Sequence, residues 1–134
     1  MLELLSPAGS MEALRAAVQN GANAVYLGVG NLNARQSAKN FTPQTLVDAV
    51  KYCHVRGVDV HLTLNTLVSD REMKEAAELI RHAAQYNIDA FIVQDLGVVQ
   101  LCRQIAPHIP IHGSTQMTIH SLPGVQLCAA MGMK

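Results

Sequence analysis

The stretch Asp59-Val60-His61-Leu62-Thr63-Leu64-Asn65 decides the expected fold, because two kinds of side chain alternate along it. Successive side chains of an extended strand point to opposite faces, so the branched apolar residues share one face. The polar residues on the other face are His61, Thr63 and Asn65. A strand with this pattern is expected to bury its apolar face under helices and to keep a polar face free for other uses.

Four other short apolar runs surround this stretch, and longer segments with helical spacing separate them. The predicted strands cover residues 2–5, 24–28, 59–65, 90–93 and 109–114. Strands that alternate with helices indicate right-handed crossovers and a parallel sheet. The sequence therefore predicts an α/β fold, namely the first five strand–helix units of a TIM-like (β/α)₈ barrel.

Capping residues mark the expected helices. Ser10, Thr42 and Ser69 are predicted N-caps, and Gly21 suits the left-handed position after a helix. The helix that Ser69 opens is expected to include Met73 and to continue to residue 84. The last two predicted helices cover about residues 97–105 and 122–131.

The composition of the 134 residues is that of an ordinary globular protein, with 49% hydrophobic and 15% charged residues. Ten basic residues balance ten acidic ones, and no basic run indicates a nucleic-acid-binding surface. A nucleic acid as a substrate stays open, because the charge can lie in another domain. The sequence shows no membrane span and no signal peptide, so we expect a cytoplasmic protein.

The three cysteines, Cys53, Cys102 and Cys128, are widely spaced and lack CxxC spacing. This pattern argues against a disulfide framework and against a zinc site within the chain. Each cysteine falls in a helical segment, where a buried free thiol is expected. We therefore expect no metal and no cofactor in this chain.

Polar residues gather at the C-terminal ends of the predicted strands, where parallel α/β enzymes carry their sites. The predicted site comprises Asn65, Gln94, Asp95, Ser114 and Gln116, with Tyr26, His61 and His112 deeper. Arg35, in the long connection after the second strand, is a candidate to bind an anionic group, and the alternative is a solvated loop arginine. For each residue, capping a helix or pairing with loop backbone is the competing hypothesis.

The chemistry stays open from the residues alone. His112, Ser114 and Asp95 suggest a Ser/His/Asp hydrolase, but the chain lacks the G-x-S-x-G nucleophile elbow. It also lacks the H-E-x-x-H zinc motif and the glycine-rich phosphate-binding motifs. Amide side chains bind and orient substrates better than they transfer protons, so the catalytic residues stay unassigned.

Six segments together resemble the N-terminal part of peptidase family U32, the collagenase-like proteases. They are residues 3–10 (ELLSPAGS), 21–28 (GANAVYLG), 33–35 (NAR), 62–66 (LTLNT), 92–97 (IVQDLG) and 112–116 (HGSTQ). The resemblance runs from Leu2 to about Gly132, in order and at the family's spacing. It implies a TIM-barrel-like domain, in agreement with the strand pattern.

The family name implies proteolysis, whereas several bacterial members serve in hydroxylation of a tRNA uridine, an rRNA cytidine or the ubiquinone ring. Prephenate is linked to the RNA reactions. Some members carry an iron–sulfur cluster on cysteines of a signature that lies downstream of these segments. The resemblance therefore implies a possible cluster in the full-length protein and none in this chain.

Eight strand–helix units need roughly 250 residues, so we expect residues 1–134 to be the N-terminal portion of a barrel, ending before its sixth strand. Open sheet edges and an uncovered inner face predict self-association, and we expect this portion to be inactive alone. Three functions remain open. They are RNA or quinone hydroxylation, peptide hydrolysis, and non-catalytic binding of a small anion at the polar strand ends.

Overall fold

The structure, a computed structural model, describes residues 2–34 and 40–134. The strands of this part form one parallel sheet in sequence order: β1 (Leu5–Pro7), β2 (Ala24–Gly28), β3 (Asp59–Leu64), β4 (Ala90–Val93) and β5 (Ile111–Gly113). Its α-helices are α1 (Met11–Gln19), α2 (Pro43–His54), α3 (Met73–Gln85), α4 (Leu96–Ile105) and α5 (Leu122–Ala130), with a 3₁₀ turn at Thr115–Met117. This sequential parallel order confirms the predicted five units of a TIM-like barrel.

The register of the strands separates two faces of the sheet. One row of paired residues is buried against the helices and consists of Leu27, Leu62, Phe91 and Ile111. The neighbouring row points to the opposite side, which we call the inner face, and consists of Gly28, Thr63, Ile92 and His112. The predicted alternation in β3 therefore places His61 and Thr63 on the inner face.

Each of the first four helices buries an apolar stripe against the outer row of the sheet. Leu14 of α1, Leu46 of α2, Ile80 of α3 and Val98 of α4 are all fully buried. Burial of one such side chain contributes about 1.5–3 kcal/mol relative to exposure. The helices thus hold the sheet from one side and leave its inner face open. No helix in the described ranges is long and apolar enough to cross a membrane.

The first strand lies later in the chain than predicted. Leu2 and Leu4 are 97% and 56% exposed, and pairing with β2 begins only where Leu5 meets Ala24. The alternating leucines suggested a strand, but they have no apolar surface to cover. Pro7 falls inside β1, which is tolerated because β1 is an edge strand and needs no donor on its outer side.

The predicted cap of the third helix was wrong. Helix α3 begins at Met73, and Ser69 instead donates its backbone N–H and its hydroxyl to the Glu72 carboxylate, at 2.8 and 2.7 Å. These two hydrogen bonds lower the pKa of Glu72. The serine is therefore a donor to a side chain three residues later, and the chain makes a turn before the helix starts.

Other predicted boundaries agree with the structure to within one or two residues. The Ser10 hydroxyl accepts from the Ala13 N–H at 3.1 Å, and Thr42 accepts from Thr45 N–H at the same distance. Gly21 has φ of +94°, the left-handed conformation that ends α1. These three predictions are confirmed, and they explain why α1 and α2 start and stop where they do.

Candidate functional site

A cleft of about 470 Å³ opens on the inner face at the carboxyl ends of the strands. Residues of the inner row form its floor, and the segments that follow β1, β2, β3 and β5 form its rim. The polar residues of the rim are Asn33, Asn40, Asn65, Ser114, Thr115 and Gln116. Among the described residues that line this cleft, none is Asp, Glu, Lys, Arg or Cys, and His112 is its one titratable imidazole. The cleft therefore offers amides, hydroxyls and two aromatic rings.

Asn65 connects the two sides of the cleft. It follows β3, and its Oδ1 accepts from the backbone N–H of Ala34, in the loop after β2, at 2.9 Å. Its Nδ2 donates to the Ser114 hydroxyl, after β5, at 3.4 Å. One half-buried amide thus links segments that are 31 and 49 residues away from it in sequence. The bond from Ala34 fixes the orientation of the amide, with its N–H₂ group on the Ser114 side.

Ser114 and Gln116 form the far wall of the cleft. Ser114 is buried, and its Oγ also accepts from the Gln116 N–H at 3.2 Å, which caps the 3₁₀ turn. The Gln116 side chain is exposed at the cleft rim. Gln94 does not line the cleft, and its Nε2 donates to the Gln116 backbone carbonyl at 3.2 Å. Gln94 therefore supports the wall rather than forming it.

Asp95 lies apart from the cleft, although the sequence grouped it with the site. Its Oδ1 accepts from the N–H groups of Gly97 and Val98 at 2.7 and 3.3 Å, which makes it the N-cap of α4. Its Oδ2 accepts from the Val68 N–H at 3.1 Å. Both carboxylate oxygens are thus bonded to backbone, so a hydrolytic Ser/His/Asp triad with this aspartate is not assembled.

The predicted deeper residues lie on the inner face, at two depths. His112 is half-buried and lines the cleft together with Tyr26. His61 lies beneath, 5% exposed, with its ring edge-to-face against His112 at a centroid distance of 5.2 Å. Its Nδ1 has no hydrogen-bond partner within the described part of the chain. Burial, and then the neighbouring His112, lower the pKa of His61, which favours a neutral imidazole.

Sequence reasoning missed two amides of the loop after β2. Asn33 is 2% exposed, and its Nδ2 donates to the Gly30 carbonyl at 3.2 Å. Asn40 donates to the same carbonyl at 2.8 Å. The available signal was the unusual length and polarity of the connection from residue 29 to 41, which indicates a functional loop. Arg35, the predicted anion-binding residue of this loop, lies outside the described residues.

The cysteines are remote from the cleft. Burial raises the pKa of the Cys102 thiol to about 12, and burial together with Asp89 raises that of Cys53 to about 11, so both are neutral thiols. Cys128 is half-buried on α5. In residues 2–34 and 40–134, no three His, Cys, Asp or Glu side chains come together in a way that could hold a metal ion.

The chain is similar in sequence to known proteins of one family. The sequence pattern of peptidase family U32 matches residues 9–134. A tRNA hydroxylation protein P of Helicobacter pylori is 40% identical over 134 residues, 99% of this chain and 32% of that protein. An uncharacterized protease of Methanocaldococcus jannaschii is 40% identical over 119 residues, 89% of this chain and 29% of that protein. The chain thus spans about a third of the length of these two relatives.

The chain is also similar to a bacterial rRNA-modifying enzyme in sequence and to a solved structure in fold. A 23S rRNA 5-hydroxycytidine synthase of Escherichia coli is 37% identical over 131 residues, covering 98% of this chain and 19% of that enzyme. The solved structure of a U32 peptidase superposes with a TM-score of 0.77 over 99% of this chain and 56% of that chain, at 14% identity. At this identity the structural likeness shows the fold alone.

Proposed function

The chain belongs to peptidase family U32, and we propose that it forms part of an enzyme that hydroxylates a base in RNA, with the cleft receiving that base. The observation that carries the proposal is the lining of the cleft, which combines amides and hydroxyls with the rings of Tyr26 and His112. Relatives named for tRNA hydroxylation and for an rRNA hydroxycytidine support RNA as the substrate.

The lining suits a pyrimidine base taken out of its stack. Such a base presents two flat faces and an edge with neighbouring donors and acceptors, and proteins bind it by stacking and by hydrogen bonds to that edge. Amides offer both donor and acceptor groups, and aromatic rings offer a stacking surface. Asn65, with its N–H₂ group towards Ser114, is placed to donate to a carbonyl oxygen. A volume of about 470 Å³ lies within the usual range for small-ligand sites.

This chain supplies binding and orientation in the proposal. None of the described cleft side chains is an oxidant, so we assign the oxidising group to the remainder of the full-length protein or to a co-substrate. An iron–sulfur cluster, which membership in the family suggests, does not fit the cysteines of this chain, because Cys53 and Cys102 are buried as neutral thiols on different helices. Because basic and acidic residues are equal in number here, we propose that most phosphate contacts come from the remainder of the full-length protein. We propose a cytoplasmic location, where tRNA and ribosomes are.

Peptide hydrolysis is the second candidate, since the archaeal relative is named a protease and the family a peptidase. The bonding of Asp95 and Ser114 argues against it. Small-anion binding is the third possibility, and it is less favoured because the described cleft residues include no Lys or Arg. Cleavage of gelatin by the full-length protein that is lost on Ser114→Ala would favour the peptidase over our proposal.

Complementation of a deletion strain tests the proposed function. The full-length gene is returned to the strain as wild type, Asn65→Ala or Gln116→Ala, and hydroxylated nucleosides of tRNA and rRNA are measured by mass spectrometry. We expect wild type to restore one hydroxylated pyrimidine. Each variant should lower it roughly tenfold or more, because loss of one positioning contact misplaces the base.

Gln85→Ala provides a matched control. Gln85 is an exposed amide on α3, remote from the cleft, and its replacement should leave hydroxylation unchanged. Soluble protein levels are compared by immunoblot in every strain. Unchanged nucleosides in the deletion strain would contradict the proposed function. Full activity of both cleft variants would show that the cleft does not bind the base.

A further inference from the structure

Strand β2 ends at Gly28, and the Asn33 side chain lies directly over it. A Cβ atom added to Gly28 would be 2.5, 2.6 and 2.7 Å from the Cγ, Nδ2 and Oδ1 atoms of Asn33. The φ angle of Gly28 lies outside the left-handed region, so the backbone itself accepts a larger residue. All three nearest atoms belong to Asn33. The nearest obstacle to a larger residue at position 28 is therefore the Asn33 side chain.

The amide of Asn33 ties together the two ends of the loop after β2. Its Nδ2 donates to the Gly30 carbonyl, and Asn40 donates both to that carbonyl, at 2.8 Å, and to Asn33 Oδ1, at 3.5 Å. Two backbone bonds continue the connection: Gly30 N–H donates to the Phe41 carbonyl at 3.1 Å, and Phe41 N–H donates to the Gly28 carbonyl at 3.0 Å. Burying an amide costs free energy unless it is hydrogen-bonded, and an apolar side chain would fill the same space without that requirement. The amide thus holds Gly30 and Asn40 together as well as filling space.

Ala34, the residue after Asn33, connects this arrangement to the cleft. Ala34 donates its N–H to Asn65 Oδ1, which leaves the Asn65 N–H₂ group on the side of Ser114. A displaced loop would remove that donor and free the Asn65 amide to turn over. The side chain would then offer an acceptor where it now offers a donor. The orientation of Asn65 therefore depends on where Asn33 sits over Gly28.

We propose that Gly28 and Asn33 are a positioning pair. Together they hold Ala34 in the place where its N–H bonds Asn65, so that Asn65 presents a hydrogen-bond donor to the ligand. Asn33 acts through Ala34 and Asn65, so it is a positioning residue rather than a catalytic one. A donor at this place selects a ligand with a carbonyl oxygen opposite it. The activity readout below rests on the proposed function, whereas the structural readouts do not.

The test compares Gly28→Ala, Asn33→Ala and the double variant in the full-length protein. Gly28→Ala should lower Tm by roughly 2–8 °C, the usual result of overpacking. In the Asn33→Ala background the same substitution should leave Tm unchanged or raise it, because the clashing atoms are gone. Hydroxylation in the complemented strain should fall roughly tenfold or more in both Asn33→Ala proteins, whatever their Tm.

Asn87→Ala is the matched control. Asn87 has φ of +63° in the exposed turn before β4, at the opposite end of the sheet, so alanine there costs stability without touching the cleft. It should lower Tm and leave hydroxylation in place. Hydrogen exchange of a peptide that includes Ala34 should be faster in Asn33→Ala and unchanged in Asn87→Ala.

Two results would overturn the positioning pair. One is a double variant that regains both Tm and hydroxylation, because Asn33 would then only fill space. The other is a Gly28→Ala effect on Tm that is the same with and without Asn33. If wild type itself restores no hydroxylation, the proposed function fails, and exchange at Ala34 still decides the positioning role.

Discussion

Polar side chains that follow neighbouring strands have different roles at this site. Asn65 lies at the cleft between Ala34 and Ser114, whereas Asp95 has both carboxylate oxygens on backbone N–H groups of Gly97, Val98 and Val68. The sequence placed both at strand ends, which is correct. The cap that Asp95 forms is local, whereas the partners of Asn65 are 31 and 49 residues away, so only the role of Asn65 needed the structure.

The buried His61 predicts that the stability of the fold depends on pH. Burial lowers its pKa in the folded protein below the ordinary value of about 6.5. The unfolded chain therefore binds more protons than the folded one as pH falls below about 6.5, and stability is lost over that window. His112 adds to the lowering, while Glu3, Asp59 and Asp89 oppose it. We expect Tm to fall between about pH 7.5 and about pH 5, in part because of His61.

His61→Phe isolates this contribution, since phenylalanine keeps a ring against His112 and does not titrate. The fall in Tm between the two pH values should be smaller in His61→Phe than in wild type. His108→Gln, an exposed histidine, serves as the control and should behave as wild type. An equal fall in His61→Phe and wild type would show that other groups account for the pH dependence.

Helix α4 depends on one side chain for its start. Asp95 caps its first turn and also accepts from Val68 in the preceding connection. Asp95→Ala removes both interactions and should lower the free energy of unfolding by about 2 kcal/mol, measured by urea denaturation. Asp48→Ala, at an exposed position of α2, should change it by less than about 0.5 kcal/mol.

An Asp95→Ala protein as stable as wild type would contradict the capping role. Asp95→Asn distinguishes the two bonding partners further, because an amide oxygen can still cap α4 while its NH₂ group cannot accept from Val68. We therefore expect Asp95→Asn to be intermediate in stability. Equal losses in Asp95→Asn and Asp95→Ala would place the whole effect on the carboxylate charge.

Local signals predicted most elements correctly, but not the starts of β1 and α3. Ser10, Thr42 and Gly21 act within a few residues of their own positions, so their effects were predictable. Strand β1 was placed too early because its start depends on pairing with Ala24, a contact distant in sequence. The start of α3 was misplaced because the Glu72 carboxylate, not a backbone group, is the partner of Ser69.

The cleft is formed by distant parts of the chain, since all five strands and the segments after β1, β2, β3 and β5 contribute residues to it. Strand alternation predicted its position at the C-terminal ends, and Asn65, Ser114 and Gln116 do meet there. The contribution of Asn33 was not predictable, because it depends on the absence of a Cβ at Gly28, five residues earlier. Such steric fits between loop and strand appear only in three dimensions.

Photocrosslinking tests most directly whether this cleft receives an RNA base. The full-length protein is irradiated with tRNA that carries 4-thiouridine at the modified position, and crosslinked peptides are mapped by mass spectrometry. We predict crosslinks in the peptides that contain Tyr26 or residues 112–116, and their loss on Asn33→Ala. Crosslinks confined to peptides outside the cleft, with none to these segments, would contradict the proposal that the cleft binds the base.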